Sequence, residues 1–121
     1  MRTVALVTLG ALALAEPTTA HAETLRWKCD YTSAASPTGL QAVKFSLEFA
    51  LDTYTRKAIM IGNAGMENVV WVDGIEGNTF QETLASGAVQ TTTITKSGSS
   101  VHSRHTMMNG KLVPSQYYGT C

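Results

Sequence analysis

The sequence has little charge and no excess of either sign. Of its 121 residues, 15% are charged, and nine basic side chains balance nine acidic ones, so the formal net charge is +0. Because phosphate binding depends on a basic excess, this balance argues against nucleic acid as a partner and against attraction to an acidic membrane surface. Hydrophobic residues make up 44% of the chain, which is typical of a folded domain. The length allows one domain.

The chain lacks an apolar run long enough to span a bilayer. The longest run, residues 4–15, falls short of the roughly 18 to 20 apolar residues that a spanning helix needs. It follows Arg2 and precedes an Ala-His-Ala site at residues 20–22, which is the layout of a cleaved secretory signal peptide. We therefore expect residues 1–22 to be removed and residues 23–121 to be a secreted, periplasmic or extracellular domain with no membrane span.

Cysteine is scarce, and the two residues present are Cys29 and Cys121. In an oxidising compartment, an even pair of cysteines in a small domain predicts a structural disulfide. The alternative, a redox or metal-binding thiol pair, requires close spacing such as C-x-x-C, which is absent here. We expect the bond to join the first and last strands.

Residues 23–121 lack helical periodicity, and alternation with a period of two takes its place. The alternation is clearest in residues 41–52, where the apolar positions are Val43, Phe45, Leu47, Phe49 and Leu51. Turn signals separate the short strands, and Asn109-Gly110 is the strongest hairpin signal. The pattern predicts an all-β fold, an antiparallel meander of about eight strands that closes into a small barrel or folds into a sandwich.

Reactive side chains are concentrated in residues 101–108. On a strand, His102 and Arg104 share one face, and Glu82 or Glu76 on a neighbouring strand could join them in acid/base chemistry, as in small secreted ribonucleases. The chain has no G-x-S-x-G, H-E-x-x-H or P-loop motif. We expect a protein that is not an enzyme, and a small hydrolase using His102 and Arg104 is the least favoured alternative.

His105 and Met107 share the opposite face of that strand. Imidazole and thioether are ligands that copper accepts, but two ligands are too few for a closed site. Methionine beside histidine on a strand is more often a packing residue. We expect no resident metal or cofactor, with a copper carrier kept as an alternative.

Two short segments, SGA and TKSG, resemble loops of the small periplasmic inhibitors of c-type lysozymes. Those inhibitors are eight-stranded, disulfide-bearing barrels that plug the enzyme's active site with an S-G-x-x-Y loop and a later K-G loop. Ser86, Gly87 and Lys96 match this pattern, whereas Gln90 replaces the tyrosine and Ser97 replaces the second glycine. The resemblance implies an inhibitor with Ser86 and Lys96 as contacts. Two ordinary hairpin turns are the other interpretation, and the departures favour it.

A rigid neutral scaffold without a catalytic constellation favours a non-catalytic binding or inhibitor module for another envelope protein. A carrier that holds a small ligand inside the barrel is the alternative. Tyr117 and Tyr118 point to opposite sides of a strand, so we expect one of them to be exposed. The candidate binding residues are Ser86, Lys96, His102, Arg104, His105, Tyr117 and Tyr118. The oligomeric state and the closure of the sheet stay open at this point.

Overall fold

Eight antiparallel strands make up most of residues 23–121, which are the residues that our computed structural model describes. The predicted signal peptide, residues 1–22, lies outside the described residues. In chain order the strands are β1 (Thr24–Ser36), β2 (Gly39–Asp52), β3 (Ala58–Gly62), β4 (Gly65–Asp73), β5 (Gly77–Thr83), β6 (Val89–Thr95), β7 (Ser99–Met108) and β8 (Lys111–Thr120). Residues 23–121 contain no helix with the length and hydrophobicity that crossing a bilayer requires.

Each strand pairs with its neighbour in sequence, and β8 pairs with β1, so the sheet closes into a barrel. The all-β prediction is confirmed, and of the two expected architectures the barrel is the one that forms. The hairpin predicted at Asn109-Gly110 joins β7 to β8, with φ values of 52° and 75° at its two central residues. Positive φ at both positions matches the twist of the flanking strands.

The turns alternate between two ends of the barrel because consecutive strands run in opposite directions. We call the end with the β1–β2, β3–β4, β5–β6 and β7–β8 turns the upper end, and the other the lower end. The first and last described residues, Glu23 and Cys121, both lie at the lower end of the barrel. There the Thr53 N–H donates to the Glu23 carbonyl at 3.0 Å, and the Cys121 N–H donates to the Gly98 carbonyl at 2.7 Å.

Apolar side chains fill the lower and middle parts of the barrel. The alternation in β2 places Leu47, Phe49 and Leu51 inside, each at most 3% exposed. Phe49 stacks on Phe80 of β5 with ring centroids 4.6 Å apart, and Trp27 of β1 meets the same ring edge-on at 5.4 Å. Each large side chain buried in this way contributes about 1.5–3 kcal/mol to folding.

A disulfide joins Cys29 of β1 to Cys121, the residue after β8, across 92 positions of sequence. The predicted bond is therefore confirmed, with its second cysteine just beyond the last strand. It lies beside the seam where β1 meets β8, and there the register shifts between Tyr31 and Ser33. Gly119 lies opposite Tyr31, and a Cβ on this glycine would overlap the backbone of β1. Glycine at this position thus permits the close approach that the seam needs.

Candidate functional site

The upper end of the barrel contains a cavity of about 340 Å³, which we call the mouth. Its position follows from the packing, because the large aromatic residues of the core lie below it. Its lining combines an apolar wall with charged and amide groups. The lining consists of the β3–β4 turn and of Phe45, Leu47, Met60, Leu84, Glu67, Glu82, Gln90 and Arg104. This size and mixture are typical of small-ligand pockets.

Strand register places the polar groups of the mouth in one row. Glu82 of β5 lies opposite Gln90 of β6, and Gln90 lies opposite Arg104 of β7. Residues directly opposite each other in a sheet point to the same side. The row below, two residues along each strand, consists of Phe80, Thr92, His102 and Tyr117.

The guanidinium group of Arg104 is held in place from three sides. Its Nε donates a hydrogen bond to Nε2 of His102 at 3.0 Å. Its Cζ lies 4.8 Å from the ring centroid of Phe45 and 4.9 Å from that of Tyr117. Such cation–π contacts are worth about 0.5–2 kcal/mol each, and most when they are shielded from water. The bond to His102 is the one hydrogen bond that the Arg104 side chain makes within residues 23–121. The N–H groups on its terminal nitrogens can therefore donate to a ligand in the mouth.

His102 is fully buried, and both of its ring nitrogens have partners. Because arginine always donates, Nε2 accepts, and the ring proton lies on Nδ1 and is donated to Oγ1 of Thr92 at 2.6 Å. Burial, helped by the charge of Arg104, lowers the pKa of His102 to about 4. The neutral ring therefore orients Arg104. It has no free nitrogen with which to exchange a proton with a ligand in the mouth.

Glu82 carries a carboxylate oxygen without a partner. The residue is 7% exposed, and its buried Oε2 has no hydrogen-bond partner within residues 23–121. Burial raises the pKa of this carboxyl group, the nearby charge of Glu67 raises it further, and Arg104 opposes the shift. Glu82 and Arg104 both line the mouth without forming an ion pair, so each has hydrogen-bonding capacity available to a ligand.

His105 lies outside the barrel, on the outer face of β7 with Met107, and both are exposed. The prediction that His102 and His105 point in opposite directions is confirmed. No group of three or more His, Cys, Asp or Glu residues that could hold a metal ion occurs within residues 23–121. The outer face of β7 therefore supplies two ligand side chains, and the mouth is on the other side of the sheet.

The turns containing Ser86 and Lys96 lie at opposite ends of the barrel, because β6 runs between them. This seven-residue strand spans about 20 Å at ~3.3 Å per residue. Both turns have ordinary hairpin bonding, with the Ser86 Oγ accepting from the Ala88 N–H at 3.3 Å and the Gly98 N–H donating to Thr95 at 3.0 Å. The two residues therefore do not contribute to one contact surface.

The adjacent tyrosines face opposite sides, as predicted. Tyr117 points inward, with its ring centroid 4.9 Å from that of Phe45, and supports Arg104. Tyr118 points outward, is 36% exposed and donates its hydroxyl to Oε1 of Gln116 at 2.7 Å. Tyr117 thus belongs to the mouth, and Tyr118 lies on the outer wall of β8.

Exposed apolar side chains lie beside three of the four upper turns, and we call this set the upper rim. Its members follow or precede the upper turns and are 44–73% exposed: Leu40, Met66, Met107, Met108 and Leu112. Three of the four methionines in residues 23–121 belong to this set, and the fourth, Met60, is buried. Flexible thioether side chains adapt to different partner surfaces.

Two of the polar mouth residues, Glu67 and Gln90, were not predicted as site residues from the sequence. Both lie on strands whose apolar alternation is weak, so the available signal was their register with Glu82 and Arg104, which needs the pairing of strands.

Comparisons with protein-family models, with curated proteins and with solved structures find no match to this chain. A functional assignment therefore depends on the geometry of the mouth and the upper rim.

Proposed function

We propose that this protein is a non-catalytic binding module of the cell envelope that contacts a partner protein through its upper rim. The observation that carries the proposal is the set of exposed leucine and methionine side chains beside the upper turns. Apolar patches of this kind mark interaction surfaces, and methionine is enriched where a surface adapts to its partner.

An extracytoplasmic compartment is supported by two independent features. The disulfide between Cys29 and Cys121 is stable in an oxidising environment and rare in the cytosol. The sequence also predicts a cleaved signal peptide at residues 1–22. We therefore place the partner among the proteins of the periplasm or the cell exterior.

Binding is favoured over catalysis by the state of His102. This residue is the chain's best candidate for acid/base work, and its two nitrogens are committed to Thr92 and Arg104. A catalytic histidine needs a nitrogen within reach of the substrate. A closed, disulfide-linked barrel is, in contrast, a rigid support for a contact surface.

A pull-down with matched variants tests the rim. The oxidised protein is immobilised and exposed to an envelope extract, in parallel with Met108→Lys/Leu112→Lys and with Ile75→Lys as the control. Ile75 is 89% exposed and lies at the lower end, so its variant adds a charge outside the rim. We expect one protein to be retained by the wild type and the control and lost with the rim variant, and then to bind the purified wild type directly.

Two outcomes would contradict this function. Equal retention by all three proteins would place the contact outside the rim, and no retention would remove the partner. Light scattering on the same three proteins identifies a further case. If the wild type dimerises and the rim variant does not, the rim joins two copies of this chain and the proposal of a different partner fails.

A further inference from the structure

We propose that the mouth is a binding site for a small zwitterion, a free α-amino acid with an apolar side chain, held between Glu82 and Arg104. The mouth is distinct from the rim contact proposed above, and the inference does not depend on that contact. It rests on two charged groups of opposite sign that line one cavity without pairing with each other.

Glu82 provides the site for the ammonium group. Glu82 lines the mouth, and its buried Oε2 has no hydrogen-bond partner within residues 23–121. A buried polar atom without a partner is unfavourable. A ligand ammonium at the Glu82 carboxylate supplies a donor and the opposite charge, which makes the stronger, charge-assisted kind of hydrogen bond. Glu67, exposed on the same wall of the mouth, adds a second negative charge at this side.

Arg104 provides the site for the carboxylate. Its Nε is fixed by His102, and its plane lies against Phe45 and Tyr117. The terminal nitrogens have no hydrogen-bond partner within residues 23–121, and their planar fork matches the two oxygens of a carboxylate. Because the side chain is already ordered, little conformational entropy is lost when a ligand binds.

Charge selects a zwitterion over a simple cation or anion. An amine alone would meet repulsion from Arg104, and a carboxylate alone would meet repulsion from Glu82 and Glu67. A ligand that carries both groups satisfies both sides, and such opposing charges are a common source of specificity. Glu82 and Arg104 lie two strands apart, about 10 Å between strand axes, with Gln90 of β6 between them.

The remaining wall of the mouth selects an apolar side chain. Phe45, Leu47, Met60 and Leu84 line it, and their surface favours an aliphatic group by excluding water. The cavity of about 340 Å³ is large enough for one amino acid of the size of leucine or methionine. Gln90, in the row between the two charged groups, offers both a donor and an acceptor to the ligand headgroup.

Titration of the purified oxidised protein, followed by amide NMR shifts, tests the inference without any partner protein. The probes are L-leucine and two analogues of the same skeleton, 3-methylbutylamine without the carboxylate and 4-methylpentanoate without the amine. We expect saturable shifts at Glu82, Gln90 and Arg104 with leucine, at a Kd about tenfold or more below that of either analogue. Equal affinities for the three probes would overturn the zwitterion.

Variants locate the site. Glu82→Gln and Glu67→Gln each remove a negative charge with little change of size, and we expect leucine binding to weaken about tenfold in Glu82→Gln and less in Glu67→Gln. Glu76→Gln, at the lower end, is the control and keeps wild-type affinity. Unchanged binding in Glu82→Gln, or no saturable shift with leucine, overturns the inference. A negative result here leaves the pull-down unaffected, so the two proposals fail separately.

Discussion

Acidification is expected to destabilise the fold through His102. The unfolded chain binds a proton at this residue near pH 6.5, whereas burial beside Arg104 lowers the pKa of the folded state to about 4. Between these values the unfolded state holds one more proton than the folded state, so the free energy of unfolding falls as the pH falls. The full stabilisation is present above pH 6.5 and is lost progressively down to about pH 4.

The size of this effect follows from the two pKa values. At about 1.4 kcal/mol for each factor of ten in proton affinity, the change from 6.5 to about 4 corresponds to about 3 kcal/mol. Protonation of Glu82 offsets part of the stability that is lost through His102. Its carboxyl group, with a raised pKa, takes up a proton more readily in the folded state and stabilises that state as the pH falls. The slope of the wild type alone therefore underestimates the histidine contribution.

Urea denaturation at pH 7, 6, 5 and 4, followed by tryptophan fluorescence, measures the effect against a matched variant. In His102→Gln the amide oxygen can accept from Arg104 and the group does not titrate, while Glu82 titrates in both proteins. We expect the difference in stability between wild type and variant to shrink by about 3 kcal/mol from pH 7 to pH 4. A difference that stays constant across this range would refute the burial of a neutral histidine.

Three further predictions concern stability. Replacing Cys29 and Cys121 with serine is expected to lower the free energy of unfolding by about 4–5 kcal/mol, because the bond closes a loop across 92 positions; a loss below ~1 kcal/mol in urea denaturation would contradict this account. Glu82→Met is expected to raise stability at pH 7 by about 1–3 kcal/mol, because the unpaired Oε2 is removed. That gain in stability shrinks in acid as the wild-type carboxyl group becomes protonated. An unchanged thermal midpoint at pH 7 would show that the Glu82 carboxylate already has hydrogen-bond partners. Gly119→Ala is expected to cost about 3 kcal/mol by overlap with the backbone of β1, and the control Gly62→Ala, whose Cβ meets a leucine side-chain end at 3.2 Å, should cost less in the same assay.

Local pattern was sufficient to predict the strands. The apolar alternation of β2 is written in consecutive residues, and the turn at Asn109-Gly110 depends on two residues alone. The choice between barrel and sandwich was not accessible in this way. It depends on β1 meeting β8 at a bulge beside Tyr31, and that pairing joins the two ends of the domain. The disulfide was the one sequence feature that pointed to this contact.

The mouth was predicted in part for the same reason. His102 and Arg104 are two residues apart on one strand, so a period of two places them together. Glu82 was a candidate partner, but its neighbours Gln90 and Glu67 belong to strands whose register cannot be obtained from alternation. The protonation state of His102 could not be predicted from the sequence either. It follows from the burial of the ring and from its bond to Thr92, which the structure shows.

Closure of the sheet has a consequence for association. Each of the eight strands has a hydrogen-bonded neighbour on both sides over at least part of its length, so no strand presents a full-length free edge to which a partner strand could add. If the bond at Cys29 is reduced and the β1–β8 seam separates, the edges of β1 and β8, strands of 13 and 10 residues, become free along their whole length. Long free edges are templates for aggregation, so the disulfide also protects the protein against polymerisation with its own copies.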